Sequence, residues 1–173
     1  MKKRAIKTNE VLKIKIAIFP GRFDPITLKH LDIIQRAKKI FDKIIVLVLN
    51  NPEKKSKISI TNRLELIKIA TKNLTNVEAD YWEKLLIDYA EIVGACAIIK
   101  SIKNTSEFNL EFEMFATNKM LNSKIETVFF PAAPKYRSIN SSLIKQLANN
   151  KKNLNSMVPE VIIPNLSKML SED

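Results

Sequence analysis

The chain has 173 residues, 46% of them hydrophobic and 27% charged, the size and balance of one globular domain over 1–173. Its longest apolar run, Ile44 to Leu49, falls far short of the ~18 residues of a membrane-crossing helix, so no membrane partner is expected. The net charge of +11 suits an anionic ligand, but no zinc-ligand spacing or aromatic–basic motif accompanies it. General richness in Lys, Ile and Asn accounts for the excess, and no nucleic-acid partner is expected.

The basic stretch up to Lys15 lacks the apolar segment and cleavage site of a signal peptide, and 1–12 is expected to be a short tail. Strand patterns follow at Lys13 to Phe19, Lys43 to Leu49, Val77 to Tyr81, Ala95 to Lys100 and Glu126 to Phe130. Helical periods alternate with them: Leu28 to Phe41, Thr61 to Thr71, Leu85 to Val93 and Glu107 to Leu121, then Ser141 to Ala148 and Pro159 to Leu170. In Thr61 to Thr71, Leu64, Ile67 and Leu66 are placed on the buried face, with Arg63 and Lys68 toward water. The rhythm predicts an α/β, Rossmann-like, doubly wound sheet of about five parallel strands, helices on both faces and a C-terminal helix. The single cysteine, Cys96, lies in an apolar run and is expected to be a small buried hydrophobe. One cysteine allows no internal disulfide, so a cytoplasmic setting is expected.

Two scarcities narrow the chemistry. The only glycines, Gly21 and Gly94, exclude both the three-glycine dinucleotide fingerprint and the P-loop. The only histidine, His30, excludes a multi-histidine zinc site. In a sheet of this kind, ligands sit beyond the carboxyl ends of the strands, so the junctions there matter most.

The first junction reads Pro20-Gly21-Arg22-Phe23-Asp24-Pro25-Ile26-Thr27-Leu28-Lys29-His30. Thr27 is a good N-cap, which sets His30 in the first helical turn, beside outward-facing amides that favour an anion. An imidazole there can donate to a phosphate oxygen. The second junction carries Lys54, Lys55 and Lys57, and the fourth carries Lys100-Ser101-Ile102-Lys103. The fifth leads into Asn140-Ser141-Ser142, whose serines can cap the next helix. Four junctions on one edge thus carry phosphate-friendly groups. No nucleophile–base pair stands out, which fits nucleotidyl transfer to an already ionised phosphate, where positioning and charge neutralisation supply most of the catalysis.

Those residues carry a resemblance. Phe23-Asp24-Pro25-Ile26-Thr27 followed by His30, the Lys54-Lys55 loop, Glu107-Phe108 with Glu111, the Glu126-Thr127-Val128-Phe129 strand and Ile139-Asn140-Ser141-Ser142-Leu143 resemble bacterial phosphopantetheine adenylyltransferases of the Thr-x-Gly-His nucleotidyltransferase superfamily. The resemblance implies transfer of the adenylyl group of ATP to 4′-phosphopantetheine, giving dephospho-coenzyme A and pyrophosphate, with Mg2+ as cofactor and no protein side chain as its ligand. It makes His30 and Lys54 the catalytic residues. It assigns Pro20, Gly21, Arg22, Phe23, His30, Lys100, Glu111, Ser141 and Ser142 to ATP, and Thr27, Lys54, Leu85, Leu86 and Lys100 to the acceptor. It also implies a homo-oligomer, a hexamer.

The chain departs from the family pattern inside the site. Arg22 stands where the family has Ser or Thr, Lys29 where it has Gly, Lys100-Ser101 where it has Arg-Gly, Lys103 where it has Arg, and Asn140 where it has Ser. Two other readings stay open on that account: a nucleotidyltransferase with a different phosphorylated acceptor, such as nicotinate mononucleotide, and a non-catalytic nucleotide-binding or assembly homologue.

Overall fold

The computed structural model describes residues 13–49, 56–150 and 152–171. The tail 1–12 and the Lys54-Lys55 pair lie outside the described residues. Five parallel strands, β1 (Ile16–Gly21), β2 (Lys43–Leu49), β3 (Val77–Trp82), β4 (Ala97–Ile102) and β5 (Glu126–Pro131), form one sheet in the order β3-β2-β1-β4-β5. The helices between and after them are α1 (Leu28–Ala37), α2 (Ile60–Thr71), α3 (Leu86–Ile92), α4 (Thr105–Leu121), α5 (Ser141–Asn149) and α6 (Ile163–Ser171). This is the doubly wound architecture the sequence predicts. The chain order reverses between β1 and β4, so a crevice opens at their carboxyl ends.

Alternate residues of the strands feed two cores. On one face, Ala17, Phe19, Ile44, Val46, Ala97 and Ile99 meet the buried sides of α1, α2, α5 and α6. On the other, Ile18, Ile45, Leu47 and Ile98 meet Ile87, Tyr89 and Ala90 of α3. Burial on both faces is why β1 and β2 read as unbroken apolar runs rather than alternating ones. Helix α4 lies apart from both cores and touches the sheet through Phe108, whose ring centroid is 5.2 Å from that of Phe129 on β5.

The structure corrects several expectations. β1 starts at Ile16 and runs on through Pro20 to Gly21, because β2 pairs with it as far as Gly21 opposite Val48. β4 starts at Ala97 and runs past the expected end at Lys100 through Ser101 and Ile102, paired to β5 up to Ile102 opposite Pro131, so Ser101 and Ile102 belong to a strand and not to a loop. Cys96 precedes β4 and is exposed. Arg63 is buried rather than solvent-facing: its Nη1 donates to the Arg22 carbonyl at 2.9 Å, which gives the guanidinium a reason to turn inward. Asn140, not a serine, caps α5, its side chain accepting from the Leu143 amide at 2.8 Å.

Candidate active site

The junction after β1 is held by close packing. A Cβ on Gly21 would sit 3.0 Å from Cε2 of the Phe23 ring, so a larger residue there would make that ring shift by a few tenths of an ångström from the strand end. Phe23 itself has φ +47, a left-handed conformation that costs a non-glycine residue on the order of 1–2 kcal/mol. Burial of its ring offsets that cost: Phe23 is 2% exposed and packs edge-on against Phe19 and His30, with centroids 5.5 and 5.0 Å away.

His30 is the third residue of α1 and closes a capping box with Thr27. The Thr27 hydroxyl accepts from the His30 amide, and the Thr27 amide donates to His30 Nδ1 at 3.1 Å. A backbone N–H can only donate, so Nδ1 carries no proton and the neutral ring bears its proton on Nε2. Burial pushes the His30 pKa down to about 3, with the neighbouring Lys29 charge adding to the effect. The ring is thus a neutral Nε2–H donor throughout the physiological range.

His30 lines a cavity of about 150 Å3 together with Phe19, Pro20, Gly21, Phe23, Lys29, Lys100, Ser101, Glu107 and Glu111. It lies at the crevice between the carboxyl ends of β1 and β4. Lys100 Nζ pairs with Glu111 at 2.7 Å, and the Lys103 amide donates to Glu107 at 2.8 Å. Lys29 is 9% exposed, and burial lowers its pKa, partly offset by Glu107 and reinforced by Lys103.

A second cluster braces the same junction from behind. The buried Asp24 carboxylate takes Lys145 Nζ of α5 at 2.8 Å, the Ile58 amide at 3.2 Å and Arg22 Nη2 at 3.5 Å. Arg22 also donates to Ser56 at 3.2 Å. Its guanidinium is engaged in this brace and does not line the cavity.

The comparisons bear directly on this arrangement. Residues 18–147 match the cytidylyltransferase-like family. A curated phosphopantetheine adenylyltransferase from Caldanaerobacter subterraneus is 46% identical over 153 residues, covering 88% of this chain and 96% of that protein. One from Clostridium botulinum is 44% identical over 158 residues, covering 91% and 96%. The chain belongs to the phosphopantetheine adenylyltransferase family. A solved structure described as a nicotinate-nucleotide adenylyltransferase, from Vibrio parahaemolyticus, superimposes with a TM-score of 0.62 at 20% identity, over 92% of this chain and 99% of that one, and shares the fold.

Of the residues the resemblance assigns, the structure brings Pro20, Gly21, Phe23, His30, Lys100 and Glu111 to one cavity. Thr27 is wholly buried and acts on His30 rather than on the cavity. Ser141 sits beside the junction, its hydroxyl donating to the Pro25 carbonyl at 3.3 Å, and Ser142 is exposed at the start of α5. Leu85 caps α3 and is 60% exposed, and the half-buried Leu86 packs on the α3 core, both away from the cavity. Lys54 lies outside the described residues. Asp24 has no role in the sequence reading beyond its place in the Phe23 to Thr27 motif, since its partners Lys145 and Ile58 lie far along the chain. The buried Asn118 of α4, whose Nδ2 has no hydrogen-bond partner among the described residues, lies outside the cavity.

Proposed function

We propose that this protein transfers the adenylyl group of ATP to 4′-phosphopantetheine. Its family and the near-complete coverage of its curated relatives support that reading. The geometric observation that carries it is His30, fixed by the capping box as a neutral Nε2–H donor at the switch point of the sheet. An ionised phosphate oxygen of the acceptor attacks the α-phosphorus of ATP. The bond from that phosphorus to the α–β bridging oxygen breaks, and pyrophosphate leaves with the electron pair. The acceptor oxygen arrives unprotonated, so no general base is needed. The chain's task is to align the phosphates and to neutralise charge developing on them. His30 and Lys100 line the cavity for that task; by resemblance, Lys54, Ser141 and Ser142 join them at the phosphates, and Leu85 and Leu86, outside the cavity, lie along the far arm of the acceptor.

Magnesium is expected to accompany ATP. The two carboxylates at the cavity, Glu107 and Glu111, each face a lysine, a donor set that suits an ion carried on the triphosphate rather than one lodged in the protein. Such an ion supplies neutralisation of the leaving pyrophosphate. We further propose a cytoplasmic homo-oligomer, a hexamer, in keeping with the apolar and exposed surface of α4.

The test is pyrophosphate release with ATP and a panel of phosphorylated acceptors. Turnover with 4′-phosphopantetheine and none with nicotinate mononucleotide is expected. Preference for another acceptor, or binding of ATP without turnover on any, would overturn the reading.

A further inference from the structure

We infer that Lys29 is a phosphate-binding residue of this site, its ammonium and the Ser101 hydroxyl together receiving phosphate oxygens beside His30. The inference rests on the adenylyl-transfer reading for which phosphates are meant, but not for the presence of an anion site. Three observations carry it.

First, Lys29 is only 9% exposed, yet among the described residues it makes no hydrogen bond or ion pair. Burying an ammonium without a partner is costly, and proteins retain such an arrangement where a counter-charge arrives from outside. Second, the nearby carboxylates are already committed. Glu111 faces Lys100 at 2.7 Å, and Glu107 accepts from the Lys103 amide at 2.8 Å with Lys103 Nζ at 3.6 Å. Three lysines therefore share two carboxylates, and Lys29 is the cation left over. Third, the Ser101 hydroxyl oxygen is buried without a hydrogen-bond partner among the described residues, and Ser101 lines the same cavity as Lys29 and His30. A lysine left without a carboxylate of its own, an orphaned hydroxyl and an Nε2–H donor around one space make a receptor for a tetrahedral oxyanion. The cavity's volume of about 150 Å3 suits a phosphate group, being well below the ~300–1,000 Å3 of pockets that enclose whole ligands.

Lys29 thus brings charge to the phosphates from α1, while Lys100 of β4 is held by Glu111. The lowered basicity that burial gives Lys29 is relieved when an anion enters, which ties its charge to occupancy of the site.

Lys29→Met keeps the stem and removes the charge. Removing an unpaired buried cation should leave the fold intact and raise Tm. Affinity for inorganic pyrophosphate, measured by calorimetry on the full chain, should fall at least tenfold, while affinity for adenosine stays unchanged. With ATP and 4′-phosphopantetheine, kcat should fall about 10- to 100-fold with a smaller change in KM. Lys29→Arg should recover most of the pyrophosphate affinity. Unchanged pyrophosphate affinity in Lys29→Met, with or without a lower Tm, would overturn the inference and mark the lysine as a packing residue. Should wild type bind pyrophosphate in a Lys29-dependent way but turn over no acceptor, the adenylyl-transfer reading fails and the anion site stands.

Discussion

His30 joins two roles in one side chain, closing the first turn of α1 through Nδ1 and presenting Nε2–H to the cavity. The Thr27 amide fixes its tautomer, and its burial links it to stability. In the unfolded chain the imidazole protonates near its ordinary value of 6.5, whereas in the fold it stays neutral down to about 3. Between those values the unfolded state binds the extra proton, so stability falls as pH falls, by up to about 1.4 kcal/mol per pH unit. Going from pH 7 to pH 5, His30 should account for a loss of about 2 kcal/mol. His30→Gln retains a side chain able to close the capping box but does not titrate, so its loss over that interval should be smaller by that amount in urea unfolding. Equal losses in the two proteins would contradict the assigned burial.

Asp24 makes a different prediction at the same scale. Its carboxylate is 2% exposed and pairs with a Lys145 side chain that is 17% exposed. Asp24→Asn leaves that ammonium largely buried without its counter-charge and should cost about 3–5 kcal/mol. A denaturant midpoint close to that of wild type would contradict the pairing. The sequence exposed the junction as important but not this brace, because Lys145 lies 121 residues from its partner and no local pattern joins them. His30 was legible for the opposite reason: its cap, its turn and its neighbouring strand are all contiguous.

Among the elements, those with strong local periods were the readable ones. The core strands and α2 announce themselves, since each is buried along most of its length or on one stripe. Strand ends were less so. Ser101 and Ile102 look like part of a cationic loop after Lys100, and only pairing with β5 makes them a strand. Arg63 misleads similarly, because a carbonyl from a distant segment, Arg22, provides the reason for its burial. The apolar residues of helix α4 are spread around it among Glu107, Glu111, Glu113 and Lys119, and only Asn118 is buried, while Leu110, Phe112, Met114, Met120 and Leu121 are exposed. A helix of that composition buries itself against something, and a second copy of this chain fits the proposed homo-oligomer. Sedimentation should show an oligomer for wild type, and Leu110→Asp should shift it toward smaller species. An unchanged distribution, or a monomeric wild type, would contradict that assignment of α4.

At the scale of the whole molecule, the strand order places the switch point between β1 and β4 and so gathers Pro20, Gly21, His30, Lys100 and Glu111 from separate stretches of sequence. The sequence predicted that edge, because junction chemistry recurs along it. It did not predict the balance of charge there. Lys29 stands where the family resemblance leads one to expect glycine, and only the packed structure shows it as a buried cation facing a cavity with its carboxylates already taken. On this account the changed residues adapt a working transferase rather than dismantle it.

The central claim is adenylyl transfer assisted by His30, and the fate of a label on the α-phosphate of ATP tests it most directly. With ATP labelled there and 4′-phosphopantetheine as acceptor, the account predicts label in dephospho-coenzyme A, unlabelled pyrophosphate, and a rate about 10²–10³ lower in His30→Ala. Label remaining in ATP, or a rate unchanged by His30→Ala, would contradict it.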